Sequence, residues 1–373
     1  MKTVCQLNMC VGCMACVDSC PKNAITVEPG VQAYNAIIDD DKCVNCNLCK
    51  RVCQNNTLPE FMLPKWWYQG WAKDSEIRSK CTSGGFATAI AKKFAIDGGV
   101  VVSCRFLNGQ FRFCATEDPY TMEMFSGSKY VKSNAVESYK LVKKNLMNDK
   151  KVLFIGLPCQ IAAVKNFVEK NLQENLYTID LICHGTPSPI VLKSFLKQYG
   201  LCLDQMKEIK FRNKFNYNIT NEDKQIASDG VIDCYTMTFL KGMTYTENCY
   251  SCKYAQINRV SDITLGDSWG SELDILEQKR GISLALCQTE KGIKILRNAD
   301  IVLFPVNLEK ACEKNKQLNH AFEKPLQREK IVNALINGRS FNLSVYKIFP
   351  NLYFKCFIKS ILKKLKIYKN NKE

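Results

Sequence analysis

The sequence predicts a small cysteine-rich unit, a large α/β domain after it, and a basic amphipathic helix at the end. Three observations predict this. Of 21 cysteines in 373 residues, nine fall within residues 1–57. From about residue 66 to 340, short apolar runs alternate with stretches whose apolar residues recur at helical spacing. The last 33 residues hold eight lysines against one acidic residue, Glu373, a surplus of +7. With 24% charged and 46% hydrophobic residues, the chain is not of the disordered class, and its length suits two or three domains with buried cores. No apolar run reaches the ~18–20 residues of a membrane span. Residues 1–10 show no apolar leader or small-residue cleavage site, so a cytoplasmic protein is expected. In that reducing compartment, crowded cysteines read as metal ligands rather than disulfides. Two histidines argue against a His-ligated zinc enzyme.

The first element is built on two cysteine runs. Cys10, Cys13, Cys16 and Cys20 follow an x2, x2, x3 spacing, with Pro21 next, and Cys43, Cys46, Cys49 and Cys53 repeat it. This is similar to the bacterial two-cluster ferredoxin pattern, an α+β fold. Three thiolates two residues apart wrap one cubane, and the fourth crosses to the other. Cys10, Cys13, Cys16 and Cys53 are therefore expected to hold one [4Fe-4S] cluster, and Cys43, Cys46, Cys49 and Cys20 a second. Two zinc sites are the weaker alternative, because zinc favours paired Cys-x2-Cys units. One departure stands out: Gln54, not proline, follows Cys53. Cys5 reads as a bystander. The formal charge of +16 falls to roughly +10 to +12 if each cluster with its thiolates carries about −2.

A boundary is expected near residue 57. Pro59, Pro64 and three tryptophans then mark 58–78 as a linker and docking segment.

The main domain is expected over 79–340. Residues 99–104, 152–155, 177–183 and 263–266 read as strands. Helices are expected on Phe86, Ala89, Ile90 and Phe94, over 160–170 and over 190–199. The alternation implies a sheet covered by helices. Residues 205–248 read as a mixed insertion. No G-x-G-x-x-G occurs, so a Rossmann dinucleotide site is not expected. The best phosphate candidate is Cys81-Thr82-Ser83-Gly84-Gly85 before the Phe86 helix, where small residues let an anion approach the backbone N–H groups. An ordinary helix cap reads the same way.

Four further segments add to that loop: Gly127 to Val131, Phe154 to Gln160, Asp180 to Ser188, and Cys249 to Tyr254 continuing to Ser261 to Gly270. Together, over roughly residues 66–300, they resemble the coenzyme F420 hydrogenase/dehydrogenase beta-subunit family, in a bacterial branch associated with surface-polysaccharide gene clusters. The resemblance implies an α/β FAD-binding domain with FAD beside a [4Fe-4S] cluster. Carried over, Ser83, Gly84, Gly85, Ser128 and Lys129 are the implied FAD contacts, with Lys129 facing a phosphate. Asp267 reads as a flavin or substrate contact or as a loop cap.

A third cluster has its own support. Cys159 and Cys183 each follow a strand and precede a helix, so both are expected at the C-terminal edge of a parallel sheet, where such folds bind ligands. Cys249 and Cys252 add two thiolates at chelating spacing. The competing reading makes Cys159 and Cys183 small buried hydrophobes. Cys81 is the reserve ligand. Cys104, Cys114, Cys202, Cys234, Cys287, Cys312 and Cys356 have no partner at metal spacing. His184 is the one histidine near a motif, a candidate proton donor or an orienting residue.

In the tail, 341–373, Phe354, Phe357, Ile358, Ile361, Leu362 and Leu365 share an arc of about 140° with Lys355, Lys359, Lys363 and Lys366 outside it. Such a helix docks on its own core or lies on an anionic membrane face. No nucleic-acid motif accompanies the charge. The expected activity is an iron–sulfur flavoprotein oxidoreductase. Electrons from a small carrier such as a ferredoxin pass through the clusters to FAD and on to an unidentified organic substrate. The alternatives are an electron-transfer subunit feeding a partner enzyme, direct use of coenzyme F420, and an iron–sulfur sensor without flavin.

Overall fold

In the computed structural model, which describes residues 2–227 and 232–364, the two cysteine runs fold as near-repeats of each other. Each ends in a one-turn helix, α1 (Ala15–Ser19) and α2 (Leu48–Val52), entered through a left-handed residue, Met14 at φ +68° and Asn47 at φ +59°. Asparagine tolerates that region; methionine is uncommon there. Strands β1 (Lys2–Thr3), β2 (Ile25–Pro29) and β3 (Tyr34–Ile38) form an antiparallel sheet in the order β1-β3-β2.

The main domain is built on an eight-stranded sheet, order β14-β4-β13-β12-β8-β7-β5-β6. Its members are β4 (Trp66–Ala72), β5 (Val100–Leu107), β6 (Gln110–Thr116), β7 (Val152–Gly156), β8 (Leu176–Leu181), β12 (Ile263–Asp267), β13 (Ser283–Cys287) and β14 (Ile301–Pro305). The four central strands β12, β8, β7 and β5 are parallel, and β13, β4, β14 and β6 join antiparallel. The sheet is thus mixed at its flanks. Residues 66–72, expected in a docking segment, are instead an interior strand, β4, paired with both β13 and β14. Their aromatic, β-prone composition suits a pleated, half-buried position.

Both faces of the sheet are covered, which explains the continuous apolar runs of its central strands. Side chains alternate between the faces. Val101, Leu153 and Ile155 pack with Phe86, Ile90 and Phe94 of α4 (Phe86–Ile96) and with Ile293 and Leu296 of α10 (Glu290–Asn298). Val100, Val102 and Phe154 point the other way, to α5 (Ser138–Met147) and α6 (Pro158–Phe167). That second core is continuous with Val4, Ala15 and Tyr34 of the N-terminal unit, so the two units share one core.

Remaining elements complete the rim. Helix α3 (Ser75–Lys80) precedes α4, α7 (Pro189–Lys197) follows β8, and α9 (Ile275–Arg280) precedes β13. Residues 205–248 resolve into a small sheet of β9 (Lys210–Asn213), β10 (Asn216–Asn221) and β11 (Lys224–Gln225), and then α8 (Cys234–Leu240). Helices α11 (Leu308–Lys314), α12 (Arg328–Ile336), α13 (Phe341–Ile348) and α14 (Pro350–Lys364) close the chain. Helix α14 meets α13 through Tyr353 and Tyr346, ring centroids 5.3 Å apart, while Phe354, Phe357, Ile358 and Ile361 stay exposed. The expected tail positions Leu365 and Lys366 lie outside the described residues. Among the described residues, no helix is long and apolar enough to cross a membrane.

Candidate functional site

Three small cavities each collect one of the expected sets of four cysteines. Cys20, Cys43, Cys46 and Cys49 line the outermost, which also touches Pro21 and Asn45. Cys10, Cys13, Cys16 and Cys53 line a second, buried one, and Cys5 joins them there. Cys5 is thus packed with these ligand candidates, although its spacing marks it as a bystander. The third cavity, of about 70 Å³, takes Cys159, Cys183, Cys249 and Cys252. These come from the N-terminus of α6, the loop after β8, and the turn preceding β12, and β7 and β8 run parallel into it with Gly156 opposite Asp180. Among the described residues, no three His, Cys, Asp or Glu side chains are gathered for a single metal ion. Burial pushes Cys13 up to about 11 and Cys183 up to about 12. Burial thus opposes the thiolate form, and a cluster held here would have to supply the charge that stabilises it.

The Tyr245 hydroxyl, packed in the core behind Cys249, is buried and has no hydrogen-bond partner among the described residues. Cys81, the reserve ligand, is absent from the third cavity. It hydrogen-bonds with Thr88 Oγ1 at 3.3 Å and lines a different cavity.

The second and third cavities meet at Val11, Gln54 and Asn55, which line both. Here the departure at Gln54 finds its reason. Gln54 is buried, and its Oε1 accepts a 2.7 Å hydrogen bond from the Tyr254 hydroxyl, two residues beyond Cys252. Proline could make no such bond.

On its other side the third cavity shares Ser133, Leu157, Gln160 and His184 with a large cavity of about 390 Å³, within the range of cofactor sites. Ser83, Gly85, Ser128, Lys129, Asp267 and His184 all line it. So does the start of α4, whose cap residue Gly85, at φ +89°, provides no side-chain cap. An 11-residue helix with open N–H groups aimed at a cavity favours an anion. Gly84 does not reach the cavity. A Cβ there would lie 2.3 Å from Gly70 O and 2.6 Å from Ser283 N, so its role is close backbone packing. The Lys129 ammonium donates to the carbonyls of Phe125, Ser126 and Gly127 at 2.7–2.9 Å, and burial pulls its pKa down. It braces the loop that lines the cavity. Burial likewise holds His184 below the usual imidazole range.

Asp267, at the C-terminal end of β12, accepts from Arg212 at 2.6 Å. Arg212 stacks over Tyr217 and Trp269, 4.8 and 5.5 Å from their ring centroids. Arg212, Tyr217 and Trp269 also line the cavity, and Tyr130 stacks on Phe239 at 4.2 Å nearby. Sequence reasoning misses Arg212 and Tyr217, which lie in the mixed insertion. The one sequence signal there is a basic, aromatic stretch, Phe211-Arg212-Asn213-Lys214-Phe215. Asp262 is structural: its carboxylate takes bonds from Thr178 N and Oγ1 and from Thr289 Oγ1 at 2.7–2.8 Å, tying β8 to the loop before β12.

Comparison with known proteins finds two family models and a similar solved structure. Residues 149–302 match the family model for the C terminus of the "Coenzyme F420 hydrogenase/dehydrogenase, beta subunit", and residues 9–57 match the "4Fe-4S dicluster domain". Among solved structures, the chain is similar to a chain of the F420-reducing [NiFe] hydrogenase complex from Methanosarcina barkeri, at 19% identity and a TM-score of 0.50, covering 72% of this chain and 99% of that one. This likeness speaks to the fold. Among curated proteins, no match was found.

Proposed function

From a chain that carries a 4Fe-4S dicluster domain over residues 9–57 and the C-terminal domain of the coenzyme F420 hydrogenase/dehydrogenase beta-subunit family over 149–302, we infer an iron–sulfur oxidoreductase that relays electrons through three clusters to a flavin. The observation that carries this reading is the shared wall: the four-cysteine cavity and the large cavity meet at Ser133, Leu157, Gln160 and His184. When bound, the clusters carry single electrons and FAD couples two of them to hydride chemistry.

The residues divide this work. Cys20, Cys43, Cys46 and Cys49, of which Cys46 is exposed, would hold the cluster that accepts single electrons from a soluble carrier. Cys10, Cys13, Cys16 and Cys53 lie inward, and Gln54 with Tyr254 links them to the third set. In the large cavity the N-terminus of α4 and the Ser83 and Ser128 hydroxyls would hold the diphosphate of FAD. Tyr130, Phe239 and Trp269 offer flat apolar walls. His184, on the wall between cluster and flavin sites, is placed to hold a proton for the reduced group of an organic substrate. A second reading puts coenzyme F420 in the same cavity, on the strength of the matched family's description.

Iron, sulfide and flavin content of anaerobically purified protein tests this. Three four-iron clusters give about twelve irons, with one FAD per chain. Eight irons without flavin would leave only the N-terminal domain standing. An extracted deazaflavin would favour the second reading.

A further inference from the structure

Lys132 is a buried cation without a carboxylate. It is 6% exposed, and among the described residues it makes no ion pair. Its ammonium donates to Val11 O at 2.9 Å and lies 5.5 Å from the centre of the Tyr34 ring. The backbone makes room for it at Gly12, φ +70°, where a Cβ would sit 2.8 Å from the Tyr34 ring and 3.4 Å from Lys132 Cδ. Val11 and Gly12 belong to the loop between Cys10 and Cys13. Lys132 also lines the cavity of Cys159, Cys183, Cys249 and Cys252. It therefore stands between two sets of cysteines.

Other cations at that cavity differ. Lys253 is exposed, and Arg259 faces Asp180 at 3.5 Å. Leaving an ammonium unpaired in a low-dielectric interior is strongly unfavourable. Thiolates holding a cluster in that cavity would be the anions that compensate it.

We propose that Lys132 is the fixed counter-charge between the cluster of Cys10, Cys13, Cys16 and Cys53 and the third cluster, of Cys159, Cys183, Cys249 and Cys252, and that it raises the reduction potential of the third. Accepting one electron makes a cluster more negative by one charge, and a nearby buried cation favours that reduced form. The inference rests on the third-cluster reading above. Lys132 acts as a positioning residue for charge and takes no part in bond making.

The test compares Lys132→Met and Lys132→Arg in the full chain, each titrated with dithionite and followed by electron paramagnetic resonance. A Cys252→Ser variant identifies the third cluster's signal. Lys132→Met with twelve irons is expected to lower the reduced-to-oxidised ratio of that cluster at fixed potential by tenfold or more, about 59 mV for a one-electron couple. Lys132→Arg is expected to stay within that margin of the wild type. An unchanged potential in Lys132→Met overturns the proposal, as does an equal shift in Lys132→Arg. Loss of the third cluster in Lys132→Met but not in Lys132→Arg supports it, because charge is then what assembly needs. Loss in both overturns it in favour of a purely steric role. Only eight irons in the wild type would instead sink the third cluster itself, which is a separable failure.

Discussion

At the scale of single residues, burial sets the charge state of a lysine that holds the loop before α4. Lys214 donates to Arg78 O at 2.5 Å and Ser83 O at 2.9 Å, bracing the loop before α4. Burial first, with Arg78 and Arg212 adding to it, pushes its pKa down to about 8. In the unfolded chain a lysine titrates near about 10.4. Between those values the unfolded state holds the extra proton, so this residue's contribution to stability rises with pH across that window. Urea midpoints at about pH 7.5 and about pH 9.5 should show the wild type gaining on Lys214→Met as pH rises. An equal gap at both pH values would contradict the assignment.

At the scale of elements, α5 is capped by a residue from the other unit. Its own cap position, Glu137 at φ +70°, provides no side-chain bond. Asp18 of α1 fills the gap: Oδ1 accepts from Glu137 N at 2.7 Å and Oδ2 from Tyr139 N at 3.2 Å. The Tyr139 hydroxyl donates back to Cys13 O at 2.7 Å. Asp18→Ala should cost about 1 kcal/mol, the usual worth of such a cap, and Asp18→Asn much less. Chemical denaturation of both variants checks this, and equal losses would show that the cap is not the reason. Nothing in the local sequence announces a cap borrowed across more than a hundred residues.

At the scale of the whole molecule, the N-terminal unit is part of the main core rather than an appendage. Val4, Ala15 and Tyr34 share an apolar cluster with Val102, Tyr139 and Phe154. Arg328, fully buried, reaches from α12 to the carbonyls of Gln32 and Tyr245 at 3.2 and 2.9 Å. Removing residues 1–57 would expose that apolar face and take the Gln32 carbonyl from Arg328. The truncated chain should be recovered mostly insoluble or aggregated by size exclusion. A soluble monomer with a sharp thermal transition would refute the shared core.

Covalent spacing alone determined the N-terminal part of the site. Ligands two and three residues apart are held together by local backbone geometry, so both ferredoxin cysteine sets were legible and each meets in one cavity. The parallel central strands were legible too, because strands buried on both faces leave continuous apolar runs. Their common edge brought Cys159 and Cys183 together as expected. Other features depend on contacts between segments far apart in sequence, which no local pattern encodes. Residues 66–72 read as a connector, since only β13 and β14 make them a strand. Gln54 reads as a flaw until Tyr254, 200 residues on, supplies its partner. No local pattern singles out Arg212 or Lys132. Tertiary structure buried both, pairing Arg212 with Asp267 and setting Lys132 between two groups of thiols, where desolvation makes a single charge count.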